Sequence, residues 1–269
     1  MISIVTEKLP ENWQWNPLNP PPSGTVEFYM ATAEVLSELG HDVHVFYDGI
    51  SIEHNNVCYL PREYYEPSEV NIHCNHKAEL GNKNIFWNNR TDIKAKDYME
   101  YDHRITISNY HKSIFGDSDV IGHGIYPELY KKGKKENICL YSSSPDRGGK
   151  FIDEKMINDM GYKLIKTYKK DISEIEMIDL YRKAKFWLHP CQGVELFCIA
   201  GVKAQASGCI PVVVPNMALK ETIKWGIKTD FEHYNEELSK ALKNPPRAEG
   251  YDPPTWLEVT KKIESLFIR

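Results

Sequence analysis

The chain has 269 residues, of which 41% are apolar and 26% are charged, a composition that suits one large or two small α/β domains. Its net charge of −5 excludes a general electrostatic attraction to nucleic acid. No apolar run approaches the ~20 residues that span a bilayer, and the first residues turn polar too soon for a signal peptide. We therefore expect a cytoplasmic protein with at most peripheral membrane contact.

The first half begins with one β-α-β unit. A strand is predicted at residues 2–5, a proline-rich loop at 16–24, a helix at 25–39 and a second strand at 41–46. Weaker strands follow at 70–74, 84–87, 104–108 and 119–121, with short connections between them. Residues 124–137 are polar and rich in lysine, which is typical of a solvated linker.

The second half repeats the alternation of strands and helices. Strands are predicted at residues 138–141, 163–167, 186–189 and 210–214. Ser173 and Glu176 have the spacing of a capping box, and an amphipathic helix is expected after them. Another helix is predicted at 198–207, and an amphipathic one from about residue 254 closes the chain. The whole pattern favours an α/β fold with parallel sheets.

The segment 189–213 carries the clearest chemical signal. It is predicted as strand, loop, helix and strand, with Glu195 just ahead of the helix. The backbone N–H groups of residues 196–199 would then point out at the carboxyl edge of the sheet, where a helix start binds a diphosphate.

This segment resembles the signature of the group-one, retaining glycosyltransferases of the GT-B fold. Glu195 matches the first signature glutamate, which in the family lies at the reacting donor sugar. The second glutamate, which binds the nucleotide ribose there, falls on Lys203, a side chain that donates hydrogen bonds and cannot accept them. Cys198 stands where the signature has a glycine. Further matches of the signature are Phe197, Ile199, Ala204, Ala206, Gly208 and the 211–213 strand.

A turn at 142–149 resembles the phosphate-binding turn of the same family. Arg147 falls on the basic residue that grips the pyrophosphate, and its forked guanidinium suits that task. Ser142 replaces the second basic residue of the family. Taken alone, Arg147 is equally explained as a turn residue paired with a surface acid. The separation between the turn and Glu195 favours a donor site.

The resemblance implies two Rossmann-like domains facing a cleft, with a final helix crossing back to the first domain. The first domain is shorter than is usual in the family. The predicted boundaries are 1–124 for the acceptor-side domain, 125–137 for the linker, 138–250 for the nucleotide-sugar-binding domain and 251–269 for the returning helix. Catalytic roles fall on Glu195 and Arg147. The predicted donor-binding residues are Gly24, Ser142, Ser143, Arg147, Glu195, Leu196, Phe197, Cys198, Ile199 and Lys203.

Candidates on the acceptor side are His73, Asn88 and Asn89, which lie at or just after the ends of predicted strands. Each is equally explained as a solvated or capping polar residue. The pairs His73/His76 and His189/Cys191 lack a second pair of ligands for zinc, so no metal site is expected. A nicotinamide enzyme would need a glycine-rich turn after its first strand, and only Gly24 is there.

The resemblance therefore implies a metal-independent glycosyltransferase, acting with retention on an acceptor hydroxyl. Its donor would be a nucleotide sugar such as a UDP- or GDP-sugar, and its acceptor a glycan or a lipid-linked sugar. No cofactor and no nucleic acid partner are expected. Two alternatives are a nucleotide-sugar epimerase of the same fold and a non-catalytic subunit that binds nucleotide sugars.

Overall fold

The computed structural model describes residues 1–7, 15–18, 23–167 and 172–268. It divides into two compact units, Met1–Gly124 with Pro254–Arg269 and Ile125–Pro253. Each unit is built on its own sheet, and the neighbouring strands of both sheets are parallel with one exception. The predicted α/β class with two parallel-sheet domains is confirmed. Four residues of the proline-rich loop, 19–22, lie outside the described residues.

The first unit carries an eight-stranded sheet with the order β3-β4-β2-β1-β5-β6-β7-β8. Among the strands of the described residues, only β3 runs antiparallel to its neighbour, β4. Two helices, α1 and α2, precede β2 and β8 along the chain. The elements are β1 (Ile2–Val5), α1 (Gly24–Glu38), β2 (Val43–Tyr47), β3 (Ile52–His54), β4 (Val57–Pro61), β5 (Val70–Cys74), β6 (Lys83–Trp87), β7 (His103–Thr106), α2 (Asn109–Phe115) and β8 (Asp119–Val120).

The core of this unit forms where α1 packs on the middle of the sheet. All residues of β1 and β5 are buried, as expected for parallel strands covered on both faces. Phe28 of α1 stacks on Trp87 of β6 with ring centroids 3.7 Å apart. Trp256 from the end of the chain meets the same phenylalanine edge-on at 6.0 Å. Aromatic packing of this kind adds to the stability that burial gives.

The second unit has a five-stranded parallel sheet with the order β10-β9-β11-β12-β13. Short helices connect its strands. The elements are β9 (Glu136–Tyr141), α3 (Glu154–Asp159), β10 (Lys163–Lys166), α4 (Glu174–Lys183), β11 (Ala184–His189), α5 (Ile199–Ala206), β12 (Ile210–Val213), α6 (Leu219–Thr222), β13 (Ile227–Lys228) and α7 (Tyr234–Lys243). The last three of these were not expected from the sequence.

Local signals in this unit show why its elements begin where they do. The capping box of α4 is confirmed, because the Ser173 hydroxyl accepts from the Glu176 N–H at 3.3 Å and the Glu176 carboxylate accepts from the Ser173 N–H at 2.8 Å. Residues 125–137, predicted as a linker, belong to the second unit, and β9 already includes residues 136 and 137. Lys135 is only partly exposed, and its Nζ donates to the Tyr181 carbonyl at 3.1 Å.

The chain closes with α8 (Trp256–Glu264), which belongs to the first unit. A capping box of Thr255 and Glu258 starts this helix. Its inner face carries Trp256, Val259 and Ile263, and Oε1 of Glu264 lies 2.6 Å from Nε2 of His41, which stands between α1 and β2. None of the helices in the described residues combines the length and the apolar composition that a membrane crossing needs.

Candidate functional site

The candidate site lies at the carboxyl edge of the second sheet, between β9 and β11. The chain leaves β9 towards β10 on one side, whereas β11 lies on the other side of β9. Such a reversal of strand order opens a crevice beyond the carboxyl ends of the two strands. Ser143 follows β9 and His189 ends β11, and the Ser143 hydroxyl lies 3.1 Å from Nδ1 of His189. The two strand ends are therefore joined at the crevice.

A glycine holds the Arg147 turn against this crevice. Two 3₁₀ turns, Pro145–Arg147 and Gly149–Phe151, follow β9 where the sequence predicted a turn leading straight into a helix. Gly148 between them has φ +97°, and a Cβ there would overlap the carbonyl oxygen of Pro190. Only glycine allows both the left-handed backbone and this close approach. The turn thus lies directly on the loop that follows β11.

Arg147 and Glu195 form an ion pair in the crevice. Nη1 of Arg147 lies 2.8 Å from Oε2 of Glu195, and the side chains are 38% and 14% exposed. The other carboxylate oxygen, Oε1, accepts from the N–H of Cys198 at 3.1 Å. The two predicted catalytic residues therefore come together, although 48 positions separate them in the chain.

The start of α5 differs from expectation. The helix begins at Ile199, and Cys198 caps it with the left-handed angles φ 66° and ψ 63°. Residues 195–198 form a turn that places the Glu195 carboxylate over the helix start. Among the N–H groups predicted to face a diphosphate, that of Cys198 already has this carboxylate as its partner, as the orphan donors of a helix start require.

The charge of Glu195 is stabilised by its neighbours. Burial alone would raise its pKa, but His189 and the Arg147 guanidinium together hold the pKa below its ordinary value. Nε2 of His189 lies 3.6 Å from Oε2 of Glu195, too far for a hydrogen bond. Glu195 is therefore an ionised and largely buried carboxylate in the resting protein.

The other predicted donor residues occupy varied places around the crevice. The Ser142 hydroxyl accepts from Nε1 of Trp187 at 3.0 Å and lies 3.1 Å from the hydroxyl of Tyr181. Nζ of Lys203, in α5, lies 5.2 Å from the ring centre of Tyr130, a cation–π contact. The apolar residues Leu196, Phe197 and Ile199 are partly buried, and the last two pack on the core below the site.

In the first unit, the corresponding reversal of strand order lies between β1 and β5. Glu7 follows β1, and its Oε1 accepts from Nδ2 of Asn75, which follows β5, at 2.9 Å. The other oxygen of Glu7 lies 3.3 Å from Nη1 of Arg90. Glu7 and Asn75 were not predicted from the sequence. Asn75 directly follows β5 and Glu7 lies two residues after β1, and a polar residue just after a buried parallel strand is the signal that identifies such positions.

Asn89 and Gly24 belong to the same edge of the first sheet. The Asn89 side chain donates to the hydroxyl of Thr25 at 2.6 Å, and its backbone N–H donates to Asn75. Gly24 is the first residue of α1, next to Thr25. Of the three predicted acceptor residues, Asn89 is the one at this polar edge with a partly exposed side chain.

His73 and Asn88 differ from the prediction that they face an acceptor, because both side chains are fully buried. Nε2 of His73 lies 2.9 Å from the hydroxyl of Tyr65 and Nδ1 lies 2.7 Å from that of Tyr101, so both ring nitrogens are engaged. Burial lowers the pKa of His73 to about 3. Asn88 donates to the Arg90 carbonyl and contacts the ring of His111. Both serve the packing of the unit and present no free group to an acceptor.

All six cysteines are free thiols, and all but Cys58 are buried.

No protein-family model matches the chain, and no curated protein sequence does. Solved glycosyltransferases do match its structure over their whole length. AviGT4, a glycosyltransferase involved in avilamycin A biosynthesis, is 15% identical, with 100% of this chain and 97% of that one covered and a TM-score of 0.73. The catalytic domain of starch synthase IV from Arabidopsis thaliana, bound to ADP and acarbose, is 8% identical, with coverage of 100% and 98% and a TM-score of 0.66.

A third match is Alr3699/HepE of Anabaena in complex with UDP and glucose. It is 9% identical, with coverage of 98% on both sides and a TM-score of 0.63. At identities this low the likeness shows the fold alone. The chain has the GT-B fold of these glycosyltransferases.

Proposed function

We propose that the chain is a glycosyltransferase that moves a sugar from a nucleoside diphosphate sugar to an acceptor hydroxyl, with retention and without a metal. The observation that carries the proposal is the meeting of Arg147, Glu195 and the start of α5 at the strand-order reversal of the second sheet. A guanidinium and the N–H groups of a helix start at such a crevice form an anion site. The whole-length likeness to glycosyltransferases, two of them with a nucleoside diphosphate bound, supports the same assignment.

Donor binding at this site requires an exchange of anions. In the resting protein, Glu195 takes the hydrogen bonds of Arg147 and of the helix start. A diphosphate brings more negative charge than one carboxylate and takes over both partners. Glu195 then turns towards the donor sugar and accepts hydrogen bonds from its hydroxyls. One displacement thereby couples recognition of the diphosphate to orientation of the sugar.

Catalysis at the site would be electrostatic. As the bond to the anomeric carbon breaks, negative charge develops on the departing diphosphate, where Arg147 and the N–H groups of α5 stabilise it. We propose that an oxygen of the leaving phosphate accepts the proton of the acceptor hydroxyl on the same face of the sugar, which retains the configuration.

The acceptor side is proposed for the polar edge of the first sheet. Glu7, Asn75 and Asn89 offer there a carboxylate and two amides, groups that suit the hydroxyls of a sugar. The acceptor class remains a glycan or a lipid-linked sugar, and the proposed compartment is the cytoplasm. Donors with a UDP or GDP moiety are proposed first.

A second candidate function is a non-catalytic subunit that binds nucleotide sugars. The observation that favours it is Lys203, whose ammonium lies over the Tyr130 ring at the position where the resembling family has a carboxylate. Calorimetric binding of a donor with no released nucleoside diphosphate, across a broad set of acceptors, would support the binding subunit and reject the transferase.

The first experiment is a thermal-shift screen of nucleoside diphosphates and nucleotide sugars. A ligand that binds only the folded protein at 100 times its Kd stabilises it by about 2.7 kcal/mol. We expect one base to stand out, and its sugar to be transferred or slowly hydrolysed. A screen in which no nucleoside diphosphate raises the Tm would reject the donor site.

A further inference from the structure

The strongest cluster of metal-ligand side chains in the described residues is formed by His189, Glu195 and Cys198. Nitrogen, oxygen and sulfur atoms of these three residues lie within 4.8 Å of one another. All three side chains are largely buried, with His189 only 1% exposed. In a tetrahedral zinc site with bonds of 2.0–2.3 Å, the ligand atoms stand roughly 3.3–3.8 Å apart. A modest closure of the cluster would therefore satisfy the metal.

An unpartnered nitrogen of His189 points into this cluster. Nδ1 of the ring lies 3.1 Å from the Ser143 hydroxyl, whereas Nε2 is buried without a hydrogen-bond partner. When Nδ1 carries the proton and donates it to Ser143, Nε2 has a lone pair for a metal and lies 3.6 Å from the Glu195 carboxylate. A cation bound between the two groups takes the place of the His189 proton that stabilises the charge of Glu195 in the resting protein. The second ring N–H of a metal-bound histidine is commonly held by a hydrogen bond, and the Ser143 hydroxyl is placed to accept it.

The charges of the site also suit a divalent cation. Zinc displaces the proton of the Cys198 thiol to solvent. Zinc with the Glu195 carboxylate and the resulting thiolate is neutral as a group, just as the ion pair of Glu195 and Arg147 is neutral now. Arg147 is 38% exposed and can turn out to solvent when the metal takes Oε2. The other carboxylate oxygen keeps its bond from the Cys198 N–H.

We propose that His189, Glu195 and Cys198 form an inhibitory Zn²⁺ site. One nitrogen, one oxygen and one sulfur ligand with a fourth position open match the preferences of zinc. The metal binds the carboxylate that the donor must move, and it displaces the guanidinium that the diphosphate needs. Zinc and the nucleotide sugar are therefore competitors. The metal site stands on the geometry alone, whereas its inhibitory effect rests on the proposed function.

The test begins with the full-length, metal-free protein and no nucleotide. Zn²⁺ affinity is measured by competition with a chromophoric chelator, and Co²⁺ replaces it for absorption spectroscopy. We expect one metal per chain and a thiolate-to-cobalt charge-transfer band. Absence of that band, or Zn²⁺ binding too weak to compete with the chelator, would overturn the site.

Cys198→Gly is the decisive variant, because a glycine accepts the left-handed backbone at this position and the fold is kept. It should weaken Zn²⁺ binding more than about 100-fold, because loss of a residue that only hydrogen-bonds to a metal ligand already costs about 10–100-fold. Cys58→Ser is the matched control, since Cys58 is the most exposed thiol and lies in the other unit. Equal losses in the two variants would show adventitious binding and reject the site.

Arg147→Met gives a prediction of opposite sign. Removing the competing cation should tighten Zn²⁺ binding by up to about fivefold, the range of a partly exposed ion pair. Weaker binding in this variant would contradict the competition. Once a donor is known, Zn²⁺ should raise its apparent Kd in the wild type and leave it unchanged in Cys198→Gly. A donor that never binds would reject the proposed function, while the metal titration would still decide the zinc site.

Discussion

Arg147→Ala is expected to slow sugar transfer far more than it destabilises the protein. The guanidinium is 38% exposed and therefore screened, so its pairing with Glu195 contributes at most about 1 kcal/mol to stability. At the leaving diphosphate, by contrast, loss of one preorganised donor costs on the order of 10²–10³ in rate, about 2.7–4 kcal/mol. The kinetic loss should exceed the loss of stability by about 2 kcal/mol or more.

The same variant changes the titration of Glu195. Its folded-state pKa is depressed in the wild type, so its stabilising contribution is present above the ordinary carboxyl pKa of about 4.3 and is lost as the pH falls through the folded value. Without Arg147, burial is opposed mainly by His189, and the pKa of Glu195 rises. The acid-side loss of stability should therefore be smaller in Arg147→Ala than in the wild type.

The assay follows released nucleoside diphosphate with the donor found in the screen, at a temperature where both proteins are folded. A Tm lowered by about 4 °C would agree with a loss of about 1 kcal/mol for a unit of this size. Arg182→Ala, at an exposed arginine in α4 of the same unit, is the matched control and should retain full turnover. Unchanged turnover in a folded Arg147→Ala protein would refute the electrostatic role.

Three further predictions concern the scaffold. Gly148→Ala should destabilise the second unit by well over 2 kcal/mol in urea denaturation, because its Cβ would overlap the Pro190 carbonyl. The control is Gly161→Ala, where φ is +77° and the space is open, and it should lose only about 1–2 kcal/mol. Equal losses in the two variants would contradict the close approach of Gly148 to Pro190. In the wild type, the free energy of unfolding should fall by up to about 1.4 kcal/mol per pH unit as the pH drops from about 6.5 towards 3, because His73 binds a proton in the unfolded chain but not in its buried site. His73→Gln should flatten this fall. An unchanged slope in the variant would disprove the assignment. Thr255→Ala should cost about 1 kcal/mol of the stability of the first unit by removing the cap of α8, measured by thermal denaturation, and no loss would show that the cap contributes nothing.

Much of the fold was predictable because its signals are local. The strand at residues 2–5 was predicted from a short apolar run. The start of α4 was predicted from the capping-box spacing of Ser173 and Glu176. The hairpin of β3 and β4 was missed, although Asn55 and Asn56 form its two-residue turn with φ 49° and 58°. Two asparagines tolerate such angles, but only an asparagine–glycine pair would have made the turn conspicuous.

The two central residues of the candidate site were predictable from the sequence, but their ion pair in the resting protein was not. Arg147 and Glu195 were found by resemblance to a family signature, but their direct pairing depends on the docking of Gly148 against Pro190, which no local pattern encodes. His73 was misassigned because its tyrosine partners lie 8 and 28 positions away in the chain. A histidine near the end of a strand looks the same in sequence whether its ring faces solvent or the core.

The carboxylate that rests on the start of α5 has a consequence for selectivity among phosphates. Any anion that enters must replace the Glu195 carboxylate. Its net binding free energy is therefore the difference between its own interaction with the site and that of the carboxylate. Inorganic phosphate, small and without a second phosphoryl group, gains little by this replacement. The proposed site would therefore bind ligands that bring two linked phosphates at once in preference to inorganic phosphate.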